Sequence, residues 1–224
     1  MKTLKISVVL LCALLCLSAC GSKSSETEPV DDTPVEVIDD TPAPAKELTR
    51  GTVNGQTYKN ESIGLSCTLP EGWRFYSDEE IAQINNMSRE AFEGTNIEEY
   101  LKNDNQLTDM FAQDPNDLSN INVIITSGGS SMEGYTDEFI FTMMKEFYLQ
   151  QFEGSGLNIN NYEVKKTTLN GEEKTYLEMD VEMEGISFKE YQFYVRNGGE
   201  YVATVTLTMV NQKPFDEIIT WFNY

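Results

Sequence analysis

The C-terminal third of the chain consists largely of four segments in which apolar and polar residues alternate. The segments are residues 161–169, 173–183, 186–196 and 200–209, and a period of two is typical of β-strands. In the second segment, acids separate the apolar residues: Leu177, Met179, Val181 and Met183 alternate with Glu178, Asp180 and Glu182. The connections between the segments are short and contain glycine, so the pattern predicts a simple antiparallel four-strand meander.

Apolar residues recur with helical spacing on both sides of this meander. Before it, Thr136 begins a predicted helix that extends to about Phe152. Its apolar residues fall in two neighbouring rows: Phe139, Met143 and Phe147, and Ile140, Met144 and Tyr148. A stripe this broad predicts that both rows lie on a sheet. After the meander, Pro214 begins a last predicted helix, whose predicted buried residues are Phe215, Ile218, Ile219 and Phe222.

The segment between residues 51 and 135 contains shorter elements. Strands are predicted around Val53 and at 56–58, 65–69, 107–112 and 121–127. Two capping boxes, Ser77 with Glu80 and Thr95 with Glu98, predict short helices. The whole order predicts an α+β fold. In it, an antiparallel β-sheet made of the C-terminal meander and the N-terminal strands packs between α-helices.

The first twenty residues carry the pattern of a lipoprotein signal peptide. Lys2 and Lys5 precede an apolar run that is about half as long as the ~20 residues of a membrane-spanning helix. The run ends in Leu-Ser-Ala-Cys-Gly, which is typical of a bacterial lipobox, with Cys20 as its cysteine. We expect cleavage after residue 19 and a diacylglyceryl thioether on Cys20, whose two acyl chains suffice for stable anchoring. The alternative is an ordinary secretory signal with a chance cysteine.

The composition divides the remaining chain into two parts. Residues 20–50 contain four of the seven prolines, many acids and no aromatic residue. Such a segment cannot bury enough apolar surface to fold, so it predicts a disordered acidic tether. Residues 51–224 have the length of one domain with a substantial core. These features place the domain on the extracytoplasmic face of a bacterial cell membrane, attached through Cys20.

Charge and residue usage exclude several classes of function. A net charge of −21 disfavours a nucleic-acid partner, because phosphate contacts need clusters of lysine and arginine. The sequence contains no histidine, which removes Ser-His and Cys-His catalysis and histidine-ligated zinc. Cys67 lies in a strand-like run, and free cysteine is among the most buried residue types. We therefore expect a buried thiol, and we assign no cofactor, no metal site and no catalytic residue.

Residues at turns and at the start of the long helix resemble those of a known domain family. The stretch from Tyr58 to Trp73, with Gly64-Leu65, Leu69-Pro70 and Gly72-Trp73, looks like the opening of the PsbP/Mog-type domain. Many short bacterial lipoproteins share this domain. The resemblance covers nearly all of residues 51–224, and it implies an antiparallel sheet between helices that is used for binding or scaffolding more often than for chemistry. No functional residue of the family has a matching position here.

The polar side of the third meander strand is the predicted contact surface. It carries Glu190, Gln192, Tyr194 and Arg196, and we group it with the loop at 127–134. An aromatic residue, an arginine and acids on a solvated sheet face would suit a protein partner or a ligand of the cell envelope. The leading interpretation is a non-catalytic, lipid-anchored binding or accessory protein.

Two alternative functions use the acidic residues. A cell-envelope hydrolase would need paired carboxylates, for which Glu178, Asp180 and Glu182, with Glu190 across from them, are the candidates. A divalent-cation-binding protein could use four aspartates, although their spacing is not that of the calcium loop: Asp104, Asp109, Asp114 and Asp117. The simpler interpretations are a solvated sheet face for the first set and solvated turn acids for the second.

Overall fold

The computed structural model describes residues 48–169, 171–196 and 199–224. The predicted signal peptide, Cys20 and the tether up to residue 47 lie outside this part of the chain. Leu48 is buried in the core, and its backbone N–H donates to Glu98. Thr49 and Arg50 also contact the domain, so the folded part includes the last three residues that the sequence assigned to the tether.

The strands of the described residues form two antiparallel sheets. The larger sheet has seven strands in the order β4-β5-β6-β10-β9-β8-β7, and the smaller has four in the order β1-β2-β3-β11. The bounds of the first six strands are β1 Thr52–Asn54, β2 Thr57–Asn60, β3 Leu65–Thr68, β4 Arg74–Phe75, β5 Gln106–Gln113 and β6 Asn120–Ser127. The others are β7 Asn158–Leu169, β8 Glu172–Met183, β9 Ile186–Arg196, β10 Tyr201–Met209 and β11 Phe222–Asn223.

The predicted meander and α+β class are confirmed, because β7, β8, β9 and β10 pair antiparallel in succession. The N-terminal strands differ from the prediction. Strands β1, β2 and β3 do not join the meander's sheet and instead form the smaller one. The chain end closes that sheet, since Phe222 pairs with Cys67 and Asn223 with Ser66. The last predicted helix is therefore cut short and ends in a strand.

Five α-helices lie within the described residues. They are α1 Asp78–Ile84, α2 Arg89–Glu93, α3 Ile97–Asp104, α4 Asp137–Gly154 and α5 Phe215–Ile218, which a 3₁₀ turn extends over Ile219–Trp221. The predicted capping box of Ser77 and Glu80 is present at α1. The second is wrong by one residue, because Asn96, not Thr95, caps α3 by accepting from the N–H of Glu99. No helix in this part of the chain is long and apolar enough to cross a membrane.

Each face of the seven-stranded sheet carries a separate hydrophobic cluster. One face packs against the smaller sheet and α1, α3 and α5, with Phe193, Val205 and Phe215 among the buried residues. The other face packs against α4, with Phe141, Tyr148 and Leu177 among them. The buried stripe predicted for α5 is confirmed, since Phe215, Ile218, Ile219 and Phe222 are each at most 3% exposed.

The prediction that both apolar rows of α4 lie on the sheet is wrong for one of them. Ile140, Phe141, Tyr148 and Phe152 are buried, whereas Phe139, Met143 and Phe147 are 47%, 66% and 38% exposed. A helix that lies on a sheet contacts it along one stripe only. The exposed row lies beyond the edge of that stripe.

Candidate functional site

Three of the four residues of the predicted contact surface are buried beneath α4, so that prediction is corrected. Glu190, Gln192 and Tyr194 are 0%, 2% and 7% exposed. Tyr148 of α4 donates to Gln192 Oε1 at 2.8 Å, and Gln192 Nε2 donates to Glu190 Oε1 at 2.9 Å. Buried polar groups need such partners. The polar side of β9 is thus an internal hydrogen-bonded layer.

Tyr194 and Arg196 connect the same face to the beginning of α4. The Tyr194 ring stacks on Phe141 with 4.7 Å between centroids. Arg196 donates to the carbonyl of Met132 at 3.1 Å and to that of Tyr135 at 3.2 Å, and it forms an ion pair with Asp137. These contacts hold the loop at 127–134 against the helix. Arg196 therefore has a structural role, and the loop packs on the domain around buried Met132.

The acids proposed for a hydrolase point to two opposite faces. The register pairs Glu178 with Tyr191 and Met179 with Glu190, so Glu178 and Glu190 lie on different sides of the sheet. Lys189 Nζ is 2.8 Å from Glu178 and 2.7 Å from Asp180. Although burial opposes it, hydrogen bonds to Asp180 and Glu178 raise the pKa of Lys189 above its usual value. These two acids are thus ion-paired with lysine.

The aspartates proposed for calcium do not come together. Asp114 accepts from the N–H of Asn116, and Asp117 accepts from the N–H of Ser119, which confirms both as turn acids. Asp109 instead lies buried in β5, at an irregularity of the register with β6. Within the described ranges, no three Asp, Glu, Cys or His side chains are placed to hold a metal ion.

A large cleft lies between β1 and β4, and we call it the slot. Its volume is about 1270 Å³. Thr52 and Val53 line it from β1, Arg74 and Phe75 line it from β4, and β5 contributes Asp109, Met110 and Phe111. The beginning of α1, part of α2 and the beginning of α3 also line it. The slot therefore forms where the edges of the two sheets meet.

Two polar contacts connect the walls of the slot. Before β1, the Arg50 guanidinium binds Asp78 Oδ1 at 2.8 Å, at the beginning of α1. After β1, Gln56 Nε2 donates to the carbonyl of Trp73 at 3.4 Å, just before β4. Because the start of β1 meets the chain after β4, and its end meets the chain before β4, the two strands run in opposite directions.

Asp109 organises the floor of the slot. Its carboxylate accepts from the Tyr58 hydroxyl at 2.6 Å, from Asn60 Nδ2 at 2.9 Å and from the N–H of Gly51 at 2.9 Å. Burial, followed by the negative charge of Asp109, raises the pKa of Tyr58 well above its usual value. A side chain at Gly51 would lie 2.1 Å from the Tyr58 ring, so only glycine fits there. Asp109 thus joins the N-terminal segment to the larger sheet.

Arginine is concentrated at the slot. The sequence contains four arginines, and Arg50, Arg74 and Arg89 line this one cleft. Each is paired with an acid of the lining, at Asp78, Glu80 and Glu93 respectively. The Arg50 guanidinium also lies 3.6 Å from the centroid of the Phe92 ring. The Arg74 guanidinium, which hydrogen-bonds both Glu80 oxygens, holds the pKa of Glu80 below its usual value.

Cys67 lies in β3, within the core and outside the slot lining. It is 0% exposed, and burial raises the pKa of its thiol to about 12. A protonated, inaccessible thiol is a poor nucleophile. The prediction of a buried strand cysteine is confirmed.

Sequence reasoning missed the slot because its residues are far apart in the chain. The one available signal was the distribution of arginine in an otherwise acidic protein. Arg50, Arg74 and Arg89 all fall within forty positions. That distribution indicates the region between residues 50 and 89, but the cleft itself forms only because the two sheets meet there.

Comparisons with known proteins find a structural similarity and no match by sequence. No family model matches the chain, and no curated protein sequence matches it. Among solved structures, it is similar to the solution structure of cyanobacterial PsbP (CyanoP) from Synechocystis sp. PCC 6803. The two share 15% identity, the match covers 77% of this chain and 97% of that chain, and the TM-score is 0.44. This similarity concerns the fold alone.

Proposed function

We propose that the chain is a lipid-anchored, extracytoplasmic binding protein without catalysis of its own, and that its ligand occupies the slot. The observation that carries this proposal is the slot itself. Aromatic rings and guanidinium–carboxylate pairs line it on short strands and helices that the core holds in place. Pockets that combine apolar walls with a few fixed polar groups are the usual ligand sites of proteins.

The lining supports binding better than acid–base chemistry. Most acids of the slot accept hydrogen bonds from arginine or from neighbouring donors, as Glu80 does from Arg74 and Asp109 does from Tyr58. A general acid at neutral pH needs a raised pKa, whereas the pKa of Glu80 is lowered. The arrangement therefore favours recognition of a polar ligand.

The proposed anchor is tested on the full chain with a Cys20→Ala variant. We expect the unaltered protein to fractionate with membranes and its N-terminal peptide to carry the mass of a diacylglyceryl group. The variant should lose both properties, because it has no thiol for the lipid. An unmodified Cys20 in a membrane preparation would contradict the anchor and leave the slot unaffected.

The slot is tested by nuclear magnetic resonance on residues 20–224 with Cys20→Ser. The probes are soluble cell-envelope fragments, namely muropeptides, oligosaccharides and short peptides. We expect a binding fragment to shift the backbone amides of β1, β4 and α1. Arg74→Ala should weaken that binding by about tenfold or more, which corresponds to one lost charged hydrogen bond. Lys102→Ala, which removes an exposed base from the last turn of α3 outside the slot lining, is the matched control. Binding that Arg74→Ala leaves unchanged would overturn the assignment.

A further inference from the structure

We infer that the ligand of the slot is an extended peptide segment that adds a strand to the free edge of β1. The inference rests on the proposed binding function and names the class of ligand. Its basis is that both walls of the slot are sheet edges. Among the described strands, β1 pairs with β2 alone, and β4 pairs with β5 alone.

The register of the first hairpin turns the backbone of Val53 toward the slot. A two-residue loop, Gly55 and Gln56, joins β1 to β2, and Asn54 pairs with Thr57 across it. The pair that closes such a loop is hydrogen-bonded, and pairs alternate along an antiparallel ladder. The next pair, Val53 with Tyr58, is therefore not hydrogen-bonded. The N–H and C=O of Val53 point away from β2, and Val53 lines the slot.

The register of β4 has the same consequence for Phe75. The N–H of Tyr76 donates to the carbonyl of Phe111 at 2.8 Å, so this pair is hydrogen-bonded. Phe75 pairs with Ala112, one step along the ladder, and its N–H and C=O point away from β5. Each wall thus presents one outward donor and acceptor, which is the requirement for strand addition.

The size and charge of the slot also suit a peptide ligand. A volume of about 1270 Å³ exceeds the ~300–1,000 Å³ that is usual for small-molecule sites. The lining contains the acids Asp78, Glu79, Glu80, Glu93 and Asp109 and the bases Arg50, Arg74 and Arg89. Acids are in excess, so the favoured peptide carries lysine or arginine among its apolar residues.

The test begins with a phage-displayed library of random dodecapeptides. It is selected on residues 20–224 with Cys20→Ser and counter-selected on the same chain with Val53→Pro. Proline at position 53 removes the outward N–H and leaves the hydrogen bonds to β2 in place, since Val53 does not bond to β2. Val53→Thr is the matched control, because it changes the side chain and keeps the donor.

An enriched peptide is then synthesised in two forms, one of them N-methylated at alternate residues. We expect the N-methylated form to bind about tenfold more weakly, since it keeps every side chain and loses backbone donors. Val53→Pro should weaken binding of the parent peptide to a similar extent, and Val53→Thr should not. Amide shifts should include Thr52, Val53 and Phe75.

Several results would overturn the inference. They are failure to enrich any peptide, equal binding of the N-methylated form, or amide shifts outside the slot. Occupation of the slot by the chain's own residues 20–47 would also overturn it. The N-methyl comparison holds even if Val53→Pro fails to fold. If envelope glycans shift the slot amides and peptides do not, only the peptide inference fails; if no fragment shifts them, the proposed function fails as well.

Discussion

The slot and the sheet face beneath α4 both contain polar side chains, but only the slot keeps them accessible. Glu190 and Gln192 are enclosed under the helix, whereas the side chains of Arg74 and Glu80 are 49% and 38% exposed. Alternation along a strand determines the side to which a residue points. Whether that side meets solvent depends on what packs there. Of these two regions, the sheet edges keep their polar groups accessible and the face beneath α4 does not.

We expect the greatest loss of stability from a substitution on the covered side of α4, compared with one on its exposed side. Phe141→Ala should lower the free energy of unfolding by about 3–5 kcal/mol, because its buried ring stacks on Tyr194. Phe139→Ala, on the exposed row of the same helix, should change it by no more than about 0.5 kcal/mol. Urea denaturation measures both. Equal costs would mean that α4 lies on the sheet with a different face.

The next effect concerns the floor of the slot. Asp109→Asn should cost about 1.5–3 kcal/mol, because an amide replaces a buried carboxylate that accepts from Tyr58, Asn60 and Gly51. Asp114→Asn, in an exposed turn, is the matched control and should cost less than about 1 kcal/mol. Thermal unfolding compares them. If Asp109→Asn left the stability unchanged, the carboxylate would not be what connects the two sheets.

A smaller effect tests the enclosed polar layer. Tyr148→Phe removes the hydrogen bond to Gln192 and should cost about 1 kcal/mol. Tyr135→Phe removes a hydroxyl from an exposed ring and should remain within about 0.5 kcal/mol. Chemical denaturation compares the free energies of unfolding of the two variants and so tests whether α4 excludes solvent from β9. If the two variants behave alike, Gln192 has solvent access and the contrast with the slot is weaker.

The last prediction concerns the thiol of Cys67, which adds no pH dependence to the free energy of unfolding at neutral pH. The folded pKa, about 12, is above the ordinary value of 9.0, so the folded state holds the proton more tightly than the unfolded chain does. The stability that comes from holding this proton is fully present below about pH 9. It is lost as the pH rises from about 9 to about 12. Cys67→Ala should lose stability less steeply over this range, and the dependence that remains belongs to buried tyrosines such as Tyr58, whose pKa is also raised. A disulfide reagent should label Cys67 only after unfolding; fast labelling of the native protein at pH 8 would contradict the buried position.

Much of the fold was predictable, and the errors have a common cause. The meander, the Ser77 cap and the buried residues of α5 follow from local spacing, and each is confirmed. The predictions for Glu190 and for Phe139 were wrong in opposite directions, since one is covered and the other is exposed. Both depend on where α4 lies across the sheet, and local spacing carries no information about that position.

The order of elements follows from the sequence alone, because the geometry of a strand or a helix imposes a period of two or of 3.6 residues. The acidic character and the lack of histidine follow from it as well. Two features depend on tertiary packing instead: β11 closes a separate small sheet, and Arg50, Arg74 and Asp109 meet at one slot. Those contacts join residues that are distant in the chain. Their formation depends on how two sheets pack, which no single segment encodes.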